Sequence, residues 1–160
     1  MNHRKRLAAS LTAAFTLGVG LVATAPQASA AGYETDRAVR TSANPNYEAP
    51  GWWFQGAGPT GHGGGVVAFQ SNGDKWWVAD TQRDGKSVAV RWKNFVNGSL
   101  YREGVCINSN SAPSWATCNK NYREDSTIWA STCLYDGDTG TYSECNLLGF
   151  RFRVSDGRTV

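Results

Sequence analysis

A chain of 160 residues with a formal charge of only +3, and with no basic block beyond its first six residues, lacks the electrostatic footprint of a nucleic-acid binder or of a protein held to anionic lipid. Its four cysteines form no closely spaced pairs, whereas a zinc site needs ligand pairs about two to four residues apart. Its seven tryptophans are the most unusual feature of the composition.

Arg4, Lys5 and Arg6 make a compact positive start, Leu7 to Ala25 carries no charge, and Pro26-Gln27-Ala28-Ser29-Ala30 sets small residues where a signal peptidase reads. This is the layout of a cleavable secretory signal over residues 1–30. A membrane anchor is the competing reading, since about 20 apolar residues span a bilayer. Against it, Ser10, Thr12, Thr16, Gly18 and Gly20 break the stretch, and a cleavage site follows at once. No later segment is apolar enough to cross a membrane. Removing the signal takes three basic residues and no acidic ones, leaving 13 of each and His62 as the single histidine. A neutral secreted protein, free of the membrane and of nucleic acid, is the expectation.

Residues 31–64 are rich in Gly, Pro, Ser, Thr and Asn, show little periodicity and end in Gly61-His62-Gly63-Gly64. They read as an N-terminal arm, flexible or packed on the domain that follows at 65–160. Gly51-Trp52-Trp53-Phe54 interrupts the arm, and three adjacent aromatics are expected to dock on the core or on a partner. From Val66 onward short strands and turns alternate. Val66–Gln70, Lys75–Asp80, Val88–Trp92, Leu100–Asn108, Ile128–Leu134 and Leu148–Val154 give about six strands. Asn72-Gly73-Asp74, Asp84-Gly85 and Asn97-Gly98 supply turn chemistry between them. No window shows a helical stripe. The fold class expected is all-β, a small antiparallel sandwich or barrel with two disulfides behind a Gly/Pro-rich arm.

An even cysteine count in an exported chain reads as disulfides, and four cysteines allow three pairings. Cys106 to Cys118 and Cys133 to Cys145 each enclose eleven residues containing turn chemistry, which favours two local bridges clipping neighbouring strands across a loop. Each would contribute roughly 3 kcal/mol on the chain-entropy account.

Motifs that carry chemistry are sparse. Gly61-His62-Gly63-Gly64 resembles an esterase oxyanion loop, but no Gly-x-Ser-x-Gly elbow accompanies it. Asp80 and Asp84 flank a turn; a glycosidase pair must face across about 5–10 Å, and Asp before Gly is first of all turn chemistry. Asp136, Asp138 and Glu144 have the oxygen spacing of a weak calcium candidate, yet Thr141 and Leu147 stand where an EF-hand needs Gly and Glu. No catalytic residue and no cofactor is assigned.

The aromatics are the remaining lead. In a strand Trp76 and Trp77 point to opposite faces, so one enters the core and the other lies outside unless the arm covers it. Core filling and a ligand platform are the two readings, and Trp52, Trp53, Trp77 and Trp115 are the platform candidates.

The run Trp77-Val78-Ala79-Asp80-Thr81 with Asp84-Gly85-Lys86-Ser87-Val88-Ala89-Val90, and the Cys106, Cys118, Cys133, Cys145 spacing, resemble small exported β-domain proteins of Streptomyces-type actinomycetes. The resemblance spans about residues 74–152 and leaves the arm outside it. It implies a short secreted β-domain with two bridges and carries no functional residue across. The expected function is non-catalytic binding, with a polysaccharide such as a cell-wall glycan as partner. The alternative is an inhibitor of an extracellular protease or glycosidase, presenting the loops Ile107–Thr117 and Leu134–Glu144.

Overall fold

The computed structural model describes residues 32–46, 48, 51–56, 64–146 and 149–160, with 52–56 as backbone only. The signal sequence expected at 1–30 and His62 lie outside the described residues. Eleven strands and no helix are found among those described.

The strands form two sheets packed face to face. Sheet A runs β1 (Glu34–Arg37), β7 (Ser99–Asn108), β6 (Ser87–Val96), β9 (Thr127–Asp136), β10 (Thr141–Ser143), with β11 (Phe150–Arg153) also paired to β9. Sheet B runs β2 (Val39–Thr41), β8 (Ser114–Asn119), β5 (Lys75–Asp80), β4 (Gly65–Gln70), β3 (Trp52–Gly56). The all-β sandwich expected from the alternation is therefore what forms, and both disulfides pair locally, Cys106–Cys118 and Cys133–Cys145.

Asn97 and Gly98 both take positive φ, at 49° and 77°, so β6 and β7 meet in the tight turn that suits the strand twist. Alternation then sorts the side chains. Val88, Val90, Trp92 and Asn94 of β6 face inward with Ile128, Ala130 and Leu134 of β9. Trp76 and Val78 of β5 meet them from the other sheet with Val67 and Phe69. Phe69, Trp76, Phe152 and Tyr122 form a ring cluster with centroids 5.0 to 6.0 Å apart, and the Trp76 indole donates to the Tyr122 hydroxyl at 3.0 Å. Two devices tie the sheets together. Cys106 of β7 bonds Cys118 of β8 across the core, so this bridge joins opposite sheets rather than neighbouring strands across a loop. Asn108 of β7, fully buried, donates to the Val78 carbonyl of β5 at 2.9 Å and to the Ser114 carbonyl at 3.1 Å.

The segment expected as an arm supplies three edge strands to these sheets. β1 runs parallel to β7, the single parallel pair among the described strands, and β2 adds to β8 in the other sheet after only Ala38. β3 pairs with β4 at the opposite edge of sheet B, with Trp52 opposite Gln70 and Trp53 opposite Phe69 in register. The sheets thus run continuously across the 64/65 boundary. Charge secures β1. Glu34 accepts from the Arg102 guanidinium at 2.8 and 3.0 Å and from the Lys120 ammonium at 2.9 Å, and Lys120 also pairs with Asp36. Lys120 is only 4% exposed and lies 4.9 Å from the centre of the Trp92 ring. The Arg102 hydrogen bonds, followed by Lys120, hold the Glu34 carboxyl below its ordinary range against the opposing effect of burial. Gly104 makes this approach feasible, because a Cβ there would run into the Glu34 backbone and the Trp92 ring.

Candidate functional site

The outer face of sheet A follows from the same alternation, in the opposite phase. Register places Glu103, Lys93, Trp129 and Arg151 side by side across β7, β6, β9 and β11. The next row outward holds Thr35, Val105, Arg91 and Ser131, and the one beyond it Arg37, Ile107, Ala89 and Cys133. Extending the β1 register by one residue sets Tyr33, 48% exposed, beside Glu103.

A groove of about 260 Å³ crosses the first two rows, with Tyr33 and Trp129 at its two ends. Three strand spacings, roughly 14 Å, separate the backbones that carry these rings. Its charged lining is Arg91, Lys93 and Glu103, and Trp92 and Gly104, neighbours in register, also line it. The wall on the β9 side is built by the second disulfide. Cys133 faces outward and holds Cys145 over the sheet; the Asn146 amide then donates to the Thr132 carbonyl at 2.9 Å, and the Ser131 hydroxyl donates to the Asn146 carbonyl at 2.7 Å. Trp129 is held in turn by Gly149, whose φ is +46°; a Cβ there would collide with the indole nitrogen. Cations lie over rings along the whole face: Lys93 over Trp129 at 5.8 Å, Arg91 over Tyr142 at 5.3 Å and Arg37 over Tyr135 at 5.1 Å. Aromatic faces, a guanidinium, an ammonium and a carboxylate are thereby offered to one shallow groove.

The tryptophans singled out from sequence lie on the other sheet. Trp76 enters the core and Trp77 takes the outer face of sheet B, as the alternation requires. Trp77 is not an open platform: it is 8% exposed, and its indole donates to Gln70 at 3.1 Å. Trp115 meets it edge-on, at 6.5 Å between centroids and 75° between planes, so the two rings present no common flat surface. Trp52 and Trp53 sit in edge strand β3, and their side chains lie outside the described residues. Trp129 and Tyr33, which the sequence reading passed over, are the aromatics that border the open groove on sheet A.

Trp115 does border a cleft of about 500 Å³ with Arg40, Thr41 and Asp80, and Asp80 also reaches a neighbouring cleft of about 410 Å³. Asp80 ends β5 at 4% exposure, with one carboxylate oxygen accepting from the Gln82 amide at 3.2 Å. Asp84 accepts from the Lys86 amide at 2.9 Å, so both carboxylates do turn work. Burial, and secondarily the charge of Asp84, pushes the Asp80 carboxyl from 3.8 up to about 6. The native state therefore keeps a proton that the unfolded chain has already lost, and stability falls as pH rises from about 4 to about 6. Asp80→Asn retains the Gln82 bond and removes the buried charge. It is expected to be about 2–3 kcal/mol more stable than wild type at pH 7.5 and nearly equal to it at pH 4, read from urea midpoints at both values.

Asp136, the first of the weak calcium candidates, caps the β9–β10 hairpin. One of its oxygens accepts from the amides of Asp138 at 2.9 Å and Thr139 at 3.1 Å, and these bonds hold its carboxyl below the ordinary range. Glu144 follows β10 at a positive φ of 50°. Among the described residues no three His, Cys, Asp or Glu side chains gather closely enough to hold a metal ion.

No protein-family model matches the chain, and neither a curated protein nor a solved structure does.

Proposed function

We propose that the chain is a secreted, non-catalytic binding module whose ligand is a carbohydrate, taken in the groove on the outer face of sheet A. The observation that carries this reading is the pair of rings, Tyr33 and Trp129, bounding a groove whose charged lining is Arg91, Lys93 and Glu103. A sugar ring has an apolar C–H face and a rim of hydroxyls, so it needs an aromatic surface beside polar side chains. At about 260 Å³ the groove lies just below the usual range of small-molecule pockets and suits one or two such rings. Export rests on the signal read in residues 1–30. Two disulfides suit an oxidising compartment, and among the described residues no helix is long and apolar enough to cross a membrane.

Affinity electrophoresis through gels containing cellulose derivatives, glycol chitin, soluble starch, polygalacturonate or solubilised peptidoglycan tests the reading. Retardation by at least one polymer is expected. Trp129→Ala is expected to weaken it by at least about tenfold, as the loss of a central aromatic anchor does. Near-UV circular dichroism should stay close to wild type, because Trp76 and Trp92 fill the core independently. Retardation by none of the polymers rejects the reading.

One observation favours the inhibitor alternative. The tip from Ser109 to Pro113 is held rigidly: Asn108 accepts from the Asn110 amide at 3.1 Å and binds β5 and Ser114, beside the Cys106–Cys118 bridge. Nanomolar inhibition across a panel of proteases and amylases, abolished by changing this tip, would replace the glycan reading.

A further inference from the structure

We infer that the sugar chain bound on sheet A is anionic, with carboxylates carried on its rings and received by Arg91 and Lys93 while a ring lies on Trp129. The inference rests on the glycan reading above and adds the chemical class of the ligand.

Without residues 1–30 the chain has 13 basic and 13 acidic side chains, so a one-sided face must come from arrangement. The three rows of outer sheet A described above contain Arg37, Arg91, Lys93 and Arg151, and only Glu103 among acids. Glu103 reaches Lys93 at 3.8 Å, a loose pair. Among the described residues no carboxylate forms an ion pair with Arg37, Arg91 or Arg151. The contrast with β1 is sharp, since there Arg102 and Lys120 are neutralised at 2.8–3.0 Å by Glu34. Arg91 is left without an ion-pair partner two residues along the strand from the loosely paired Lys93, and an anion that bridges these two relieves their repulsion.

The way these cations are held adds to this. Arg91 lies over the Tyr142 ring and Lys93 over Trp129, which restrains both side chains before any ligand arrives. The guanidinium carries a planar fork of N–H donors, which matches the planar carboxylate. A carboxylate attached directly to a sugar ring stays at the depth of that ring. Arg91 and Lys93 rise from adjacent rows of the same shallow surface as Trp129, so charge and ring are met at one level. An acidic peptide fits less well. Peptides add to sheets along an edge, and this groove crosses the face of four strands between two aromatic ends.

Isothermal titration with hexagalacturonate, cellohexaose, chitohexaose and poly-glutamate tests the inference on the full mature chain. Hexagalacturonate is expected to bind, at least tenfold more tightly than either neutral hexamer, and to weaken as salt rises from 50 to 500 mM. Arg91→Gln and Lys93→Gln remove the charge while keeping the first part of the side-chain stem, and both positions lie on the surface. Each is expected to weaken hexagalacturonate about tenfold, the loss for a charged hydrogen bond, and to flatten the salt dependence of its binding. Equal or tighter binding of a neutral hexamer overturns the anionic class and leaves the glycan reading standing. Poly-glutamate binding as tightly as hexagalacturonate overturns the sugar. Binding of none of the four probes overturns the inference; if the gel panel is also negative, the glycan reading falls with it.

Discussion

Replacing the inter-sheet bridge, as Cys106→Ala with Cys118→Ala, is expected to destabilise the protein by about 3–5 kcal/mol. The corresponding change at Cys133 and Cys145 is expected to cost about 2–3 kcal/mol. Both pairs are separated by 12 residues, so the restriction they place on the unfolded chain is the same, roughly 3 kcal/mol. What differs is the native side. Cys106 and Cys118 are buried between the sheets and belong to the main core cluster, so truncating both also leaves unfilled volume there. Cys133 is buried but lies outside that cluster, and its partner Cys145 is half-buried on the outer face, where the chain relaxes into solvent. The second pair should instead show its effect in binding, because it holds the Cys145–Asn146 wall of the groove. Urea midpoints of the two double variants, with the gel assay on each, separate these effects. Equal destabilisation by both pairs would show that the inter-sheet position of the first adds nothing.

Gly149→Ala is expected to cost about 2–4 kcal/mol and to lower carbohydrate affinity together with stability. Two separate reasons combine. At φ +46° a side chain is strained, by about 1–2 kcal/mol for an ordinary L-residue. The added Cβ also occupies the place of the Trp129 indole nitrogen, so the ring must leave its seat beside the groove. Trp129→Ala in the Gly149→Ala background distinguishes the two. With the indole gone the collision disappears, and the remaining cost of Gly149→Ala should fall to the backbone strain alone. A cost unchanged by removing the indole would refute the packing role of Gly149. Both quantities come from the same urea titrations.

How much of this was legible beforehand depends on the strand. β6, β9 and β11 were readable from alternation, which reports which face is buried, and β4, β5 and β7 as short runs between turn pairs. β8 escaped: Ser114-Trp115-Ala116-Thr117-Cys118-Asn119 has only small or polar residues around its tryptophan, and Ala112-Pro113 just before it reads as a turn. β1 and β2 escaped for a different reason. Four and three residues long, largely polar, they are strands through their partners, by register with β7 and β8 and by the Glu34 ion cluster. No local pattern carries a contact made nearly seventy residues away.

The tryptophans named from sequence and the open groove fall on different sheets for a similar reason. Trp77 and Trp115 looked available because one of two adjacent tryptophans must face outward, and Trp77 does. Facing outward is not exposure, however; Gln70 and the edge of Trp115 close over it. Trp129 carried a usable signal. It stands in the outward phase of β9, between the inward-facing Ile128 and Ala130, with Ser131 next in that phase.

Alone, the sequence determined the all-β class and the inward and outward phases of the central strands and favoured the local pairing of the cysteines, since these depend on periodicity, composition and nearby residues. Tertiary structure decided that Cys106–Cys118 spans two sheets, that residues 34–41 close the sandwich edges, and that Trp129 rather than Trp77 borders an open groove. Those outcomes turn on which surfaces are covered by chain segments distant in sequence, and coverage is a property of packing that no periodicity encodes.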